Sequence, residues 1–350
     1  MNTQWFLGAN TADGFVSRFQ TLQEDPRIKK LIILKGGPGC GKSTFMKKLR
    51  KTAVSLGADT ESYPCSSDPS SLDGLLILPM GLAIVDGTAP HVLEPRLCGC
   101  DAVYLNLGCF YDTEKIPDER HDLEALRIKN QALYPAAYAH LRAVRELKHC
   151  AKASVKEMDQ KSLYALTRGL MQELSLSSGG HSRVREVFLH TFTPAGEISL
   201  LDTVHSVCST IVAIEDPLGA GSMLFERLKN HYLHAGYDCI TLLSPLFPGT
   251  IEGLLVPEVN TAFITCEKGQ DDASVTVNLS RCYHFSDSAI SLLEAANDHC
   301  TQAISLLKEA KQLHDEIETI YRPYVSFEGL DLLTQEYQKQ IKGELLHRIR

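Results

Sequence analysis

Eleven cysteines among 350 residues include no Cys-x-x-Cys pair, which removes the common zinc-ribbon and thioredoxin-like signatures. Cys98-Gly-Cys100 is a weak metal or redox signal, so free or buried thiols of a reducing, cytoplasmic protein are expected. Positive charge is not in excess either. Thirty-five Lys and Arg stand against 43 Asp and Glu, for a net charge of −8 at pH 7 and a pI near 5.9. Broad polyanion binding, and nucleic acid with it, is not expected. Long apolar runs are lacking too: the longest, Gly74 to Val85, is too short and too interrupted to span a bilayer. Met1-Asn2-Thr3-Gln4-Trp5-Phe6 has neither the basic start nor the apolar core of a secretion leader. The sequence therefore leads us to expect no membrane and no nucleic-acid partner.

What is present is a glycine-rich segment, Gly36-Gly37-Pro38-Gly39-Cys40-Gly41-Lys42-Ser43-Thr44, that fits Gly-x-x-x-x-Gly-Lys-[Ser/Thr]. Glycines let the backbone turn tightly and bring its N–H groups against phosphate oxygens, while the following helix offers its positive N-terminus. Gly37, Pro38, Gly39, Cys40, Gly41, Lys42, Ser43 and Thr44 are thus the expected binding residues for the phosphates of ATP. Lys42 would reach the β- and γ-phosphates, and the Ser43 hydroxyl would bind Mg²⁺. The flanks agree with this reading. Leu31-Ile32-Ile33-Leu34 predicts a buried parallel strand, and Phe45, Met46 and Leu49 recur at helical spacing.

A second Mg²⁺ ligand should stand at the end of a neighbouring apolar strand. Gly81-Leu82-Ala83-Ile84-Val85-Asp86 supplies Asp86. Gly87 follows it, where many motor ATPases carry a glutamate that polarises the attacking water. Hydrolysis is then slow, or another group positions the nucleophile, or the acceptor is a substrate hydroxyl and the protein is a kinase. Asp68 is a candidate base, and equally an Asp-Pro turn former. His91 and Arg96, in the Pro-rich loop after Asp86, either contact phosphate or sit on a solvated loop.

The chain also repeats itself roughly 180 residues downstream. Phe6-Leu7 and Gly14 answer to Phe188-Leu189 and Gly196, and Leu31–Leu34 to Ile211–Ile214. Gly39 and Gly41 answer to Gly219 and Gly221. Leu72-Asp73-Gly74-Leu75-Leu76 matches Ile251-Glu252-Gly253-Leu254-Leu255, and Val103–Leu107 matches Val275–Leu279. In the second copy Lys42 faces Ser222, Ser43 faces Met223 and Asp86 faces Thr265, so no counter-charge for a triphosphate remains there. A structural or regulatory role is expected, or a residue contributed to the first site, with Arg227 and Arg281 as weak candidates.

The expected fold is α/β, a tandem duplication of a P-loop NTPase-like domain with a mainly parallel sheet flanked by helices. Residues 1–180 hold the intact site and 181–350 the degenerate copy, with Ser177 to Ser182 as the linker. Each half ends in a helical arm, about 118–174 and about 288–350. Pro135 should break or kink the first, and Pro323 and Gly329 should interrupt the second. Arg120, Arg127, Lys129, Arg142 and Arg145 lie among acidic residues and predict a solvated face.

On the residues Gly8–Phe15, Lys35–Lys47 and Val85–His91, the chain resembles a bacterial family of P-loop ATPases and nucleotide-kinase-like proteins with two tandem P-loop-like halves. The resemblance implies nucleoside triphosphate binding and brings no known substrate. The Gly-x-Pro-Gly-x-Gly-Lys form is also similar to that of AAA-type ATPases, although Gly87 sets the chain apart from ring-forming motors. Three functions follow as expectations: a Mg²⁺-dependent ATPase whose slow turnover is coupled to motion between halves, a kinase acting on an unidentified small-molecule acceptor, or a nucleotide-sensing module with negligible turnover.

Overall fold

Unbroken apolar runs make strands that are covered on both faces, and such runs form the centres of two sheets. The computed structural model describes residues 2–154, 160–171, 182–216, 219, 221–266, 273–279 and 286–349. In the first half the strands are β1 (Asn2–Gln4), β2 (Gly8–Thr11), β3 (Gly14–Ser17), β4 (Lys30–Lys35), β5 (Thr60–Pro64), β6 (Leu72–Ile77), β7 (Leu82–Asp86) and β8 (Ala102–Asn106). Apart from the β2–β3 hairpin, they form one six-stranded sheet in the order β1-β5-β6-β7-β4-β8. Only β6 runs against the others. The helices are α1 (Lys42–Ser55), α2 (Arg120–Ala153) and α3 (Gln160–Leu170).

The second half repeats this order. Its strands are β9 (Val184–Val187), β10 (His190–Thr193), β11 (Gly196–Ser199), β12 (Thr210–Glu215), β13 (Cys239–Leu243), β14 (Ile251–Val256), β15 (Thr261–Cys266) and β16 (Val275–Asn278). The sheet order β16-β12-β15-β14-β13-β9 is that of the first sheet, strand for strand, and β14 is again the single antiparallel member. The helices are α4 (Leu201–Val207), α5 (Ser222–His234), α6 (Asp287–Tyr321) and α7 (Phe327–Ile349). Even the hairpin turns agree. Thr11 and Thr193 each donate a hydroxyl to a glycine carbonyl at 2.7 Å, Gly14 and Gly196, whose φ values of 105° and 115° suit glycine. The molecule is thus α/β with two similar halves. Among the described residues no helix is long and apolar enough to cross a membrane.

The halves meet at the residues that follow their first strands. Phe6 and Phe188 exchange reciprocal backbone hydrogen bonds of 3.1 and 2.9 Å, so the matched pair Phe6-Leu7 and Phe188-Leu189 lies where the halves join. Trp5, Leu7, Val187, Leu189 and Val204 share one buried cluster there. Next to it, fully buried Glu61 pairs with Arg27 (3.4 Å) and with Arg185 of the second half. Burial alone would raise the Glu61 carboxyl, but the two guanidinium groups override it and hold the group below its ordinary value.

The arms pair across the molecule rather than staying with their own halves. Antiparallel α2 and α6 run together, joined by Asn130 Nδ2 to the Ala310 carbonyl (2.6 Å) and by His140 with His299 (2.9 Å). From there α3 packs on α5 and α7 packs on α1, so each arm covers the loop helix of the other half. Two helix expectations need correction. Pro135 does not break α2, which continues through it; the hydrogen bond that proline cannot donate is one among many on a helix held along its length by α6. Pro323 does interrupt the second arm, between α6 and α7, whereas Gly329 lies inside α7. The predicted linker at 177–182 and the end of the first arm fall outside the described residues except at Ser182.

Candidate functional site

Strand β4 ends at Lys35 and α1 begins at Lys42, so residues 36–41 form a tight loop at the carboxyl edge of the sheet. Gly39 and Gly41 have φ of 72° and 86°, where a side chain is disfavoured, and a Cβ on Gly41 would lie 2.4 Å from Leu330 Cδ2. Lys42 folds back over the loop. Its Nζ donates to the carbonyls of Gly36 (2.8 Å) and Gly37 (2.9 Å) and lies 3.6 Å from Asp86 Oδ2. Asp86 is the last residue of β7, adjacent and parallel to β4, and its Oδ1 accepts from Thr88 N (2.9 Å) and Thr88 Oγ1 (2.6 Å). Ser43 Oγ accepts from Leu72 N at 2.9 Å. Cys40 is buried, and that burial raises its thiol pKa. Thr44 is exposed on the first turn of α1, and Pro38 O accepts from Tyr111 Oη at 2.5 Å.

The remaining predicted residues divide. Asp68 closes its own turn, with Oδ1 accepting from Ser70 N (3.2 Å) and Ser70 Oγ (2.7 Å) and Oδ2 from Ser71 Oγ (2.8 Å). These bonds and Lys311, 3.8 Å away, hold the carboxyl below its ordinary value against the opposing effect of burial. Arg96 is turned away from the loop into an exposed pair with Glu24 (3.1 Å). His91 is buried rather than solvated, and it stacks on Phe19 at 4.9 Å. Lys35 anchors the segment after β7 by donating to Gly87 O (2.8 Å), Leu93 O (3.2 Å) and Glu94 Oε1 (2.8 Å).

Two acidic residues at this edge escaped the sequence reading. Asp73 on β6 is buried, and burial pushes its carboxyl up to about 6, with His91 opposing and Asp86 adding to the rise. Its signal was an acid inside an otherwise apolar strand. Glu318 comes from α6 in the second half and accepts the Gly39 N–H at 3.2 Å. A hydrogen bond with His314 holds its carboxyl below the ordinary value, helped by Gly39 N–H and Lys311 against burial. Nothing in the spacing of the sequence connects positions 39 and 318.

At the second loop α5 begins at Ser222 as α1 begins at Lys42, and Met223 is exposed. Asp216, which matches Gly36, is buried and accepts the Gly221 N–H at 2.6 Å, so a carboxylate of the chain itself holds that loop amide. Lys152 from α2 donates to Gly219 O at 3.1 Å, mirroring the reach of Glu318 to Gly39. Thr265 donates its hydroxyl to Glu252 O (2.6 Å). Arg227 stacks over Tyr164 of α3, 5.6 Å from the ring centre, and is not brought to the first loop. Pro217, Leu218, Ala220 and Arg281 lie outside the described residues. Comparison of the chain with protein-family models, with curated proteins and with solved structures finds no match.

Proposed function

We propose that the first half is a P-loop NTPase-like domain that binds a Mg²⁺–nucleoside triphosphate, ATP in the leading reading, at Gly36–Thr44 and hydrolyses it slowly. We further propose that the two halves arose by tandem duplication and that only the first retains this chemistry. The observation that carries the proposal is the placement of Lys42 Nζ 3.6 Å from Asp86 Oδ2, across the ends of adjacent parallel strands at a glycine-rich loop. In this reading the loop N–H groups and Lys42 hold the phosphates and neutralise charge that develops on transfer. Lys42 exchanges its two loop carbonyls for phosphate oxygens.

The oxygen donors fit a hard cation. Asp86 Oδ2 faces the lysine while Oδ1 is fixed by Thr88, and Ser43 Oγ accepts one hydrogen bond and keeps a lone pair. Bound between Ser43, Asp86 and the phosphates, Mg²⁺ would supply charge neutralisation and a fixed geometry for the reacting phosphate.

Slow turnover is supported at Gly87. A Cβ there would lie 2.2 Å from Ile33 Cγ2, so a water-polarising glutamate has no room on this backbone. Coupling to the second half is supported by Glu318, whose carboxylate holds a loop amide that a phosphate would claim. The kinase reading keeps the same groups and replaces water by an acceptor hydroxyl; Gly87 favours it equally, and Asp68 would have to give up its turn hydrogen bonds to Ser70 and Ser71 to serve as the base. Phosphate release from the purified protein, with and without a panel of hydroxylated acceptor metabolites, separates the two. Acceptor-independent release on the order of 1 per minute or slower, lost in Lys42→Ala, supports the ATPase. ADP formed only with an acceptor supports the kinase, and wild-type turnover by Lys42→Ala contradicts both.

A further inference from the structure

Asp73 on β6 and Asp86 at the end of β7 lie just past the Gly74–Val85 pair, Asp73 where the register of β6 shifts, and one carboxylate oxygen of each lies within 4.8 Å of the other. Like charges this close are destabilising, more so when buried, unless a cation lies between them. Both are buried, and Lys42 is 3.6 Å from Asp86, so one ammonium faces two carboxylates. His91 completes the corner. Its backbone N–H closes a turn onto Thr88 O (3.1 Å), and its ring lies between Phe19 (4.9 Å) and Phe15 (6.0 Å). The imidazole is only 5% exposed, and neither ring nitrogen has a hydrogen-bond partner among the described residues. Its Nε2 is 3.9 Å from Asp73 Oδ1, too far for a hydrogen bond. A buried imidazole with two orphaned nitrogens is costly unless something else satisfies them.

We infer that Asp73, Asp86 and His91 form a binding site for a divalent first-row transition ion. One donor atom from each residue lies within 4.8 Å of the other two. Bonds of about 2.0–2.2 Å to one ion place ligand atoms roughly 3–4.4 Å apart, so only a small closure is needed. Two carboxylates and a neutral imidazole match a dication in charge, and the nitrogen donor selects Mn²⁺, Fe²⁺, Co²⁺ or Zn²⁺ over Mg²⁺. The aromatic walls of Phe15 and Phe19 fix the ring and keep water from its faces. The second half lacks the set, since Thr265 and Glu252 stand where Asp86 and Asp73 do. The inference shares Asp86 with the nucleotide reading but does not need a nucleotide.

The test uses Mn²⁺ with nucleotide-free, untagged full-length protein, followed by electron paramagnetic resonance. One Mn²⁺ per chain is expected, with ¹⁴N modulation of the spin echo from a bound imidazole and no displacement by a hundredfold excess of Mg²⁺. His91→Ala should abolish the ¹⁴N modulation, and Asp73→Asn should weaken Mn²⁺ at least about tenfold. Lys42→Ala, which removes the competing ammonium and the nucleotide, should retain or tighten Mn²⁺. Bound Mn²⁺ without ¹⁴N modulation in the wild-type protein, modulation that survives His91→Ala, or no Mn²⁺ binding without nucleotide each overturn the inference. Failure to bind ATP with Mn²⁺ still bound leaves it standing and removes only the nucleotide reading.

Discussion

At position 87 the backbone passes so close to Ile33 that even one methyl group has no space, and Ile33 is fully buried and cannot yield. Gly87→Ala should therefore destabilise the protein by about 1–3 kcal/mol through overpacking. A melting temperature equal to wild type would show that the loop after Asp86 yields, and would remove the steric account of the missing glutamate. Loop chemistry was legible at this scale because phosphate binding demands particular residue types at fixed spacing; Lys42 and Asp86 were read that way and do lie together. Asp73 was not, because its importance depends on which residues the fold brings within reach of its carboxylate. For His91 the sequence allows a phosphate contact or a solvated loop. The burial that decides its chemistry comes from Phe15 and Phe19, more than seventy positions earlier.

Among the helices, the arms do what no local pattern specifies. Their apolar periodicity identified helices but not partners, since the same stripe suits any apolar surface. In the fold α6 carries Glu318 to the first loop, and α2 carries Lys152 to the second. A carboxylate on a loop amide competes with phosphate for the same donor and repels it. Glu318→Ala should tighten nucleotide binding roughly tenfold, the equivalent of one charge-assisted hydrogen bond. Equilibrium binding of a fluorescent ATP analogue measures this directly; unchanged or weaker binding contradicts the competition. The interruption at Pro323 was legible from the rigid φ of proline, whereas the continuity of α2 through Pro135 depends on α6 and was not.

Across the whole molecule the two halves share one strand order. Their similarity was legible because glycine turns and apolar strands recur in the same sequence order although the spacing between them drifts, whereas the strand order itself depends on which strands pair and was not. The joint between halves was not legible, for it consists of pairs such as Phe6–Phe188 and Glu61–Arg185 that only the closed structure forms. Arg185→Met should cost about 3–5 kcal/mol at pH 7 by leaving Glu61 buried with less counter-charge. Glu61 has a lowered folded pKa, so its contribution is complete above the ordinary value of 4.5 and is lost as pH falls through the folded value. The difference between variant and wild type should accordingly shrink in acid, and denaturant unfolding at pH 7 and pH 4 checks the sign; a constant difference contradicts it. If two similar halves carry one nucleotide site, the second loop amide being held by Asp216, equilibrium dialysis with a nonhydrolysable ATP analogue and Mg²⁺ should find one analogue per chain, lost in Lys42→Ala and retained in Ser222→Ala. Two analogues per chain, or binding that survives Lys42→Ala, would rule out a single site built on Lys42.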